Sequence, residues 1–306
     1  MTTHSPYFVQ NVPLSNLRIV RFRNGSSEIS SLPKQIISEL PWTQEVENLT
    51  KGRGWKQFKK DLTTGNIATS RSFEEAIGND LAACWRNSEN AGEMKTAVER
   101  FRHESRVLIS PEDESELGFL GRRVRGEIFF ARRWVMVEGP SDYLLLKALG
   151  ESYGHDLDQH GVAVIDFKNS GNAGIYAALA EAFGIPWHMI TDGDPESEKF
   201  RKELSKRGFN SDDLAAHFET LPQPNDLEDQ LLVDGQEALL RQIMVEVSIS
   251  AMATCPVEEF TRCLKNNKTA YMVRLARILI ADQTLAAKMP TVFVEFIKKL
   301  KASASG

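Results

Sequence analysis

Residues 133–142 read Arg133-Trp134-Val135-Met136-Val137-Glu138-Gly139-Pro140-Ser141-Asp142. Four apolar residues run straight into a glutamate, a glycine and a proline. A short apolar run closed by turn-forming residues predicts a buried strand. Residues 141–153 then predict a helix, and the alternation continues. Residues 162–165 (Val-Ala-Val-Ile) predict the next strand. Ile175, Ala178, Leu179, Ala182 and Phe183 have helical spacing. Residues 187–191 predict a third strand, 197–207 a charged helix and 217–221 a fourth strand. Strands separated by helices of about ten residues predict βαβ crossovers. The expected fold class is therefore α/β, with a small, mostly parallel sheet, helices on both faces, and flanking helical segments.

Carboxylates gather where the strands end. Glu138 ends the first strand, and Asp142 lies in the first turn of the helix that follows. Asp192 and Asp194 follow the third strand in Thr191-Asp192-Gly193-Asp194. Asp226, Glu228 and Asp229 follow the fourth. In open α/β sheets ligands bind at the carboxyl ends of the strands. Converging carboxylates repel one another and need a cation, a proton or solvent. An oxygen-only ligand set suits Mg²⁺ or Mn²⁺, with Ca²⁺ as an alternative. Two such ions about 3.5–4 Å apart form a site that cleaves phosphodiesters. Any single one of these residues is equally at home as a strand-end or helix-cap residue. Ser141 and Thr191 offer hydroxyls, though residues of this kind also cap helices. The segment Asn169-Ser170-Gly171-Asn172 either shapes a rim or is a plain turn.

Outside this block the chain changes character. Residues 1–34 predict strands, with Asn24-Gly25 as a hairpin turn. Residues 35–128 are mostly helical in pattern. Residues 233–306 predict helices marked by Met272, Leu275, Ala276, Leu279 and Ile280, then by Phe293, Phe296, Ile297 and Leu300. The expected division is 1–34, 35–128, 129–232 and 233–306, with the last segment packing on the third. The 306 residues carry a formal net charge of -5. That charge is uneven, because residues 129–232 hold 9 Lys/Arg and 18 Asp/Glu, a balance of -9, against +4 elsewhere. Basic clusters at Lys51, Arg53, Lys56, Lys59 and Lys60, and at Arg122, Arg123, Arg125, Arg132 and Arg133, are either solvated faces or DNA phosphate contacts. Cys84, Cys255 and Cys263 show no zinc-ligand spacing. No apolar run has the length of a membrane span, so no membrane partner is expected, and residues 1–25 lack a signal-peptide core. The expected compartment is the cytoplasm.

The strings VEGPSDYLLLKAL, TDGDPE and NDLEDQLL, taken together, resemble the Toprim region of the OLD (overcoming lysogenization defect) family of ATPase-nucleases, over about 100 residues. The opening Thr2-Thr3-His4-Ser5-Pro6-Tyr7-Phe8-Val9 is similar to the switch-histidine loop of an ABC-type ATPase. No G-x-x-x-x-G-K-[ST] loop is present, so no complete ATP site is expected in this chain. The resemblance implies the C-terminal region of a longer ATPase-nuclease, with the ATPase domain as a partner and a homodimer formed through it. It implies a DNA endonuclease with two divalent ions. Glu138 and Asp192, with Asp194 beside them, would hold one ion. Asp142, Asp226 and Glu228 would hold the other, with Glu138 bridging. Lys268, in Asn266-Asn267-Lys268-Thr269-Ala270, matches a lysine that the nuclease subgroup brings to the site. Glu138, Asp192 and Lys268 would be the catalytic residues. Alternatives are a non-catalytic Toprim module that binds nucleic acid or serves as a scaffold, and a topoisomerase- or primase-type enzyme. Against the topoisomerase reading, Ser197 stands where that group carries glycine three residues after the second aspartate.

Overall fold

The structure, a computed structural model, describes residues 5–9, 11–23, 25–33, 106–120, 126–170, 172–247 and 254–304. Helix α1 (Pro6–Val9) comes first. Strands β1 (Ile19–Arg23) and β2 (Ser26–Ser30) pair antiparallel, with Val20 opposite Ile29. Gly25, the second residue of the expected turn, has a φ of 80° that a side chain would resist, and Asn24 lies outside the described residues. Then come α2 (Pro111–Leu120), β3 (Arg133–Val137), α3 (Pro140–Ser152), β4 (Val162–Asp166), α4 (Phe167–Ser170), α5 (Ala173–Ala182) and β5 (Trp187–Thr191). After these follow α6 (Ser197–Lys206), α7 (Ser211–His217), β6 (Phe218–Thr220), α8 (Leu227–Val233) and α9 (Glu237–Glu246). The chain ends in α10 (Val257–Asn266), α11 (Lys268–Ala281), α12 (Gln283–Ala286) and α13 (Thr291–Ala304).

The chain divides into two compact units. One comprises Met1–Phe129, Gly171–Ile185 and Phe200–Leu214. Within it Arg207 donates to Asp113 Oδ1 at 2.7 Å. The guanidinium of Arg106 lies 3.2 Å from Asp213 Oδ2. The other comprises Phe130–Ser170, Pro186–Lys199 and Ala215–Gly306, and holds the sheet.

That sheet has the order β4-β3-β5-β6, with every neighbouring pair parallel. The chain leaves β3 for β4 on one side and returns to β5 on the other. β3 is therefore the point where the strand order reverses, and open α/β sheets bind ligands at the carboxyl ends beside such a point. Alternation along the strands sets their faces. Val135, Val137, Val162 and Ile190 join one core with Leu145, Leu146 and Leu149 of α3 and with Leu231, Ile243, Phe260, Leu275 and Phe293 from the helices after β6. Trp134, Met136, Ile165 and Met189 point the other way and are buried as well. Helix α11 lies along α3 through Tyr271, Met272, Leu275 and Leu279, all fully buried.

The four strands expected between 133 and 221 agree with the observed ones to within one residue at each end, whereas residues 6–9, in a segment expected to form strands, are helical. His217 reads as strand in the sequence but closes α7 in the structure. Asn210 explains this: its side chain accepts from the N–H groups of Asp212 and Asp213, and Asp213 reaches back to the Asn210 N–H. This reciprocal cap starts a helix directly before the strand. The His217 ring then stacks on Trp187 at 4.5 Å. Helix α8 is not anticipated in the sequence, and α9 and α10 fall in the segment 233–306 expected to be helical without being marked individually.

Candidate functional site

Glu138 follows β3 at the switch point, with Asp142, Asp192, Asp194 and Lys168 within electrostatic reach of it, while Asp226, Glu228 and Lys268 act on Asp192. Glu138 is buried at 3% exposure. Its Oε1 accepts from the Asp192 N–H at 2.8 Å. Its Oε2 lies 3.5 Å from Lys168 Nζ. Burial pushes its carboxyl up, against the Asp192 N–H and Lys168, which favour the charged form.

Asp192 sits at the centre of the cluster. Its Oδ1 is buried with no hydrogen-bond partner. Burial first, then the charges of Asp142, Glu138, Asp226 and Glu228, push its pKa up to about 8. Its position rests on Gly193, where a Cβ would meet the Leu221 and Pro222 carbonyl oxygens at 2.5 and 2.6 Å. The Gly193 N–H donates to the Asn225 carbonyl at 2.8 Å. The turn between the two aspartates is thus pinned against the loop after β6, and only glycine fits.

Asp142, Asp194 and Asp226 each commit one oxygen to a cap. Asp142 Oδ2 accepts from the Gly139 N–H at 3.1 Å. Its pKa is pushed up to about 7 by burial, then by Glu138 and Glu228. Asp194 Oδ1 accepts from the Glu196 and Ser197 N–H groups. Ser197 itself is buried, and its hydroxyl donates to the Asp194 carbonyl at 2.7 Å. Asp226 caps α8 by accepting from Asp229 N–H at 2.9 Å, and its Oδ2 holds Lys265 at 2.7 Å. Burial would raise Asp226, but the Lys265 and N–H hydrogen bonds bring it below the ordinary value.

Glu228, fully buried, has both oxygens taken. Lys268 Nζ binds Oε2 at 2.7 Å and the Tyr271 hydroxyl donates to Oε1 at 2.7 Å. Burial, then the Glu228 charge, holds the Tyr271 phenol well above its usual range. Lys268 is the first residue of α11, where a cation opposes the helix dipole. Burial disfavours its charge as well, yet Glu228, Asp226 and Asp192 raise its pKa overall. The acidic cluster, not the helix, keeps this ammonium charged.

Among the described residues no three His, Cys, Asp or Glu side chains are already gathered as a ligand set. The acidic groups are tied instead to N–H groups and to Lys168, Lys265 and Lys268. The donor chemistry nonetheless suits a hard divalent ion, because every donor is a carboxylate and Asp192 Oδ1 is a buried acceptor with nothing to accept from.

The arginines divide differently. Arg122, Arg123 and Arg125 lie outside the described residues, as do His4 and the cluster at Lys51–Lys60. Arg132 and Arg133 stand at the start of β3, opposite the end that carries Glu138. Five residues of strand separate them by about 17 Å. Ser141 is buried with its hydroxyl unpartnered. Asn172 caps α5, accepting from Gly174 and Ile175 N–H, so it serves as a turn and cap residue. Lys168, Lys265 and Tyr271 do not stand out in the sequence. Only Lys168 has a local signal, standing two residues past the end of β4.

A parallel sheet with a glutamate after its central strand and Asp-x-Asp after the neighbouring one defines a Toprim-type α/β module. Residues 129–194 match the family model "Overcoming lysogenization defect protein-like, TOPRIM domain", so in this region the chain resembles the C-terminal Toprim region of OLD proteins. An uncharacterized protein of Escherichia coli K12, YbjD, is 35% identical over 113 residues. That stretch is 37% of this chain and only 20% of the relative's length. Among solved structures, the C-terminal region of the Xanthomonas campestris OLD protein aligns with a TM-score of 0.41 and 18% identity, over 59% of this chain and 100% of that one. The C-terminal region of the Burkholderia pseudomallei OLD protein aligns with a TM-score of 0.36 and 23% identity, over 56% and 98%. No helix among the described residues is long and apolar enough to cross a membrane.

Proposed function

We propose that this chain is the nuclease region of a larger ATPase-nuclease, and that it hydrolyses DNA phosphodiester bonds with divalent metal ions. The observation that carries this is the acidic cluster at the sheet's switch point, with Asp192 Oδ1 buried and unpartnered at its centre. Glu138, Asp192 and Asp194 would hold one ion, and Asp142, Asp226 and Glu228 the other, Mg²⁺ or Mn²⁺ being the expected species. Bound there, the metal would supply an activated water for in-line attack and charge stabilisation for the departing 3′ oxygen.

The chain's own residues do the rest. Glu138 is fixed by the Asp192 N–H, so its orientation does not depend on a ligand. Asp142 and Asp192, with raised pKa values, give up protons as positive charge enters. Lys268, 44% exposed at its side chain, is charged and within reach of solvent, and is placed to stabilise charge that develops on a phosphate. Within this reading residues 129–232 are the catalytic domain and 233–306 its helical support. The ATPase domain belongs to the rest of the full-length protein, which also supplies dimerisation.

The test is nicking of supercoiled plasmid in Mg²⁺, Mn²⁺, Ca²⁺ or EDTA. Wild type should nick in Mg²⁺ or Mn²⁺ and not in EDTA, and Glu138→Ala and Asp192→Ala should each lose at least about 100-fold. Nicking that survives both substitutions would sink the assignment. DNA binding without cleavage under all conditions would favour the scaffold reading, and covalent protein–DNA adducts the topoisomerase one. If Lys268→Ala cleaves at the wild-type rate, the role of the lysine falls while the metal site stands.

A further inference from the structure

Lys168 has no part in the ligand set just described, yet the fold delivers it to the same place. β3 and β4 are in register with Val137 opposite Asp166, so Glu138 and Phe167 leave the sheet side by side. Lys168 is the next residue, in the short α4. Its Nζ lies 3.5 Å from Glu138 Oε2 and 2.5 Å from Glu196 Oε2. The other Glu138 oxygen already accepts a backbone N–H, so Oε2, reached only by the more distant lysine, has more of its lone-pair capacity open to an incoming cation. Glu138 is 4% exposed at its side chain, and Lys168 is 46% exposed. The lysine therefore reaches a buried carboxylate from the solvent side, with Glu196 as a second anchor further out.

We infer that Lys168 is a positioning residue that acts as an internal counter-ion for Glu138, displaced by the divalent ion and thereby freed to contact a substrate phosphate. This rests on the metal-dependent nuclease reading. A divalent ion and the lysine ammonium draw on the same oxygen and repel each other, so each weakens the other's hold on Glu138. Glu196 keeps the released ammonium at the rim rather than letting it disperse into solvent. A cation at the rim, next to a newly neutralised acidic pocket, is suited to the phosphate backbone of DNA.

Two measurements on the purified full chain test this. The first is Mn²⁺ binding followed by the decrease of the free-ion EPR signal, without DNA. Lys168→Met should tighten Mn²⁺ binding about two- to fivefold, the range for a partly exposed ion pair. Glu196→Gln should weaken it, because the lysine then settles on Glu138 alone. The second is binding of a fluorescent duplex in Ca²⁺ across a salt series. Lys168→Met should reduce the slope of log K against log salt by about 0.9, one phosphate contact, and Lys168→Arg should restore it. Unchanged Mn²⁺ affinity in both Lys168→Met and Glu196→Gln overturns the inference, as does an unchanged salt slope. If wild type binds Mn²⁺ and Glu138→Ala does not while Lys168→Met is neutral, only this inference fails. If wild type binds no Mn²⁺ at all, the nuclease reading fails with it.

Discussion

Asp192 has the least settled electrostatics in the cluster. Its folded pKa of about 8 and that of Asp142, about 7, lie far above the ordinary aspartate value of 3.8. The folded state therefore holds protons that the unfolded chain has released, and stability falls as pH rises from the unfolded value through the folded ones. His188 works in the opposite direction: burial pushes it down to about 4, but its effect is complete above its ordinary value of 6.5. Between about pH 6.5 and 8.5 the two aspartates dominate. In EDTA the melting temperature should fall across that window, and Asp192→Asn should flatten the fall. Calorimetric scans at half-unit intervals decide it, and a wild-type curve that is level or rising contradicts the assignment of these protons.

α11 links stability to chemistry at the scale of one element. It carries Lys268 at its first position and Tyr271 and Leu275 on the face against α3. Leu275→Ala opens a cavity in a fully buried site and should cost about 2–5 kcal/mol. Tyr271→Phe removes one hydrogen bond from buried Glu228 and should cost about 1–3 kcal/mol. Urea unfolding measures both, and a destabilisation below about 0.5 kcal/mol in each would contradict the packing described. The strands are legible because each is an apolar run ended by turn residues, as at Val137-Glu138-Gly139. α8 is harder to read, though Asp226 before Leu227-Glu228-Asp229 is a helix-start signature. In the sequence the acidic run has the look of a ligand-bearing loop, whereas the structure makes Asp226 the helix cap. Lys265 and Tyr271 have no local signal. Lys265 meets Asp226 and Asp229 from 36 residues or more away, and Tyr271 meets Glu228 from 43 away, contacts that exist only once the C-terminal helices have folded back.

For the whole molecule the informative quantity is where the charge sits. A net charge of -5 argues against DNA binding until the -9 of residues 129–232 is separated from the rest. Two divalent ions would take that segment from -9 to -5 and the chain from -5 to -1. The position of the acidic cluster is readable because strand ends can be read from sequence. The lysines that balance it are not readable as a set, since Lys168, Lys265 and Lys268 come from three separate elements. Phosphate contact by the basic clusters is a separate proposal. Charge reversal at Arg122 and Arg123 should weaken duplex binding and lower its salt slope by about 0.9 for each phosphate no longer neutralised; unchanged affinity would make them a solvated face.

If the carboxylates at the ends of β3 and β5 form a cation site that is partly protonated at rest, cation binding must expel protons from it. Titration of Mn²⁺ into weakly buffered protein at pH 7 counts the protons released. Wild type should bind saturably and release about one proton or more, Asp192→Asn should release about one fewer, and Glu138→Ala should not bind. Saturable binding with no proton release, or identical titrations for wild type and Glu138→Ala, would contradict the account.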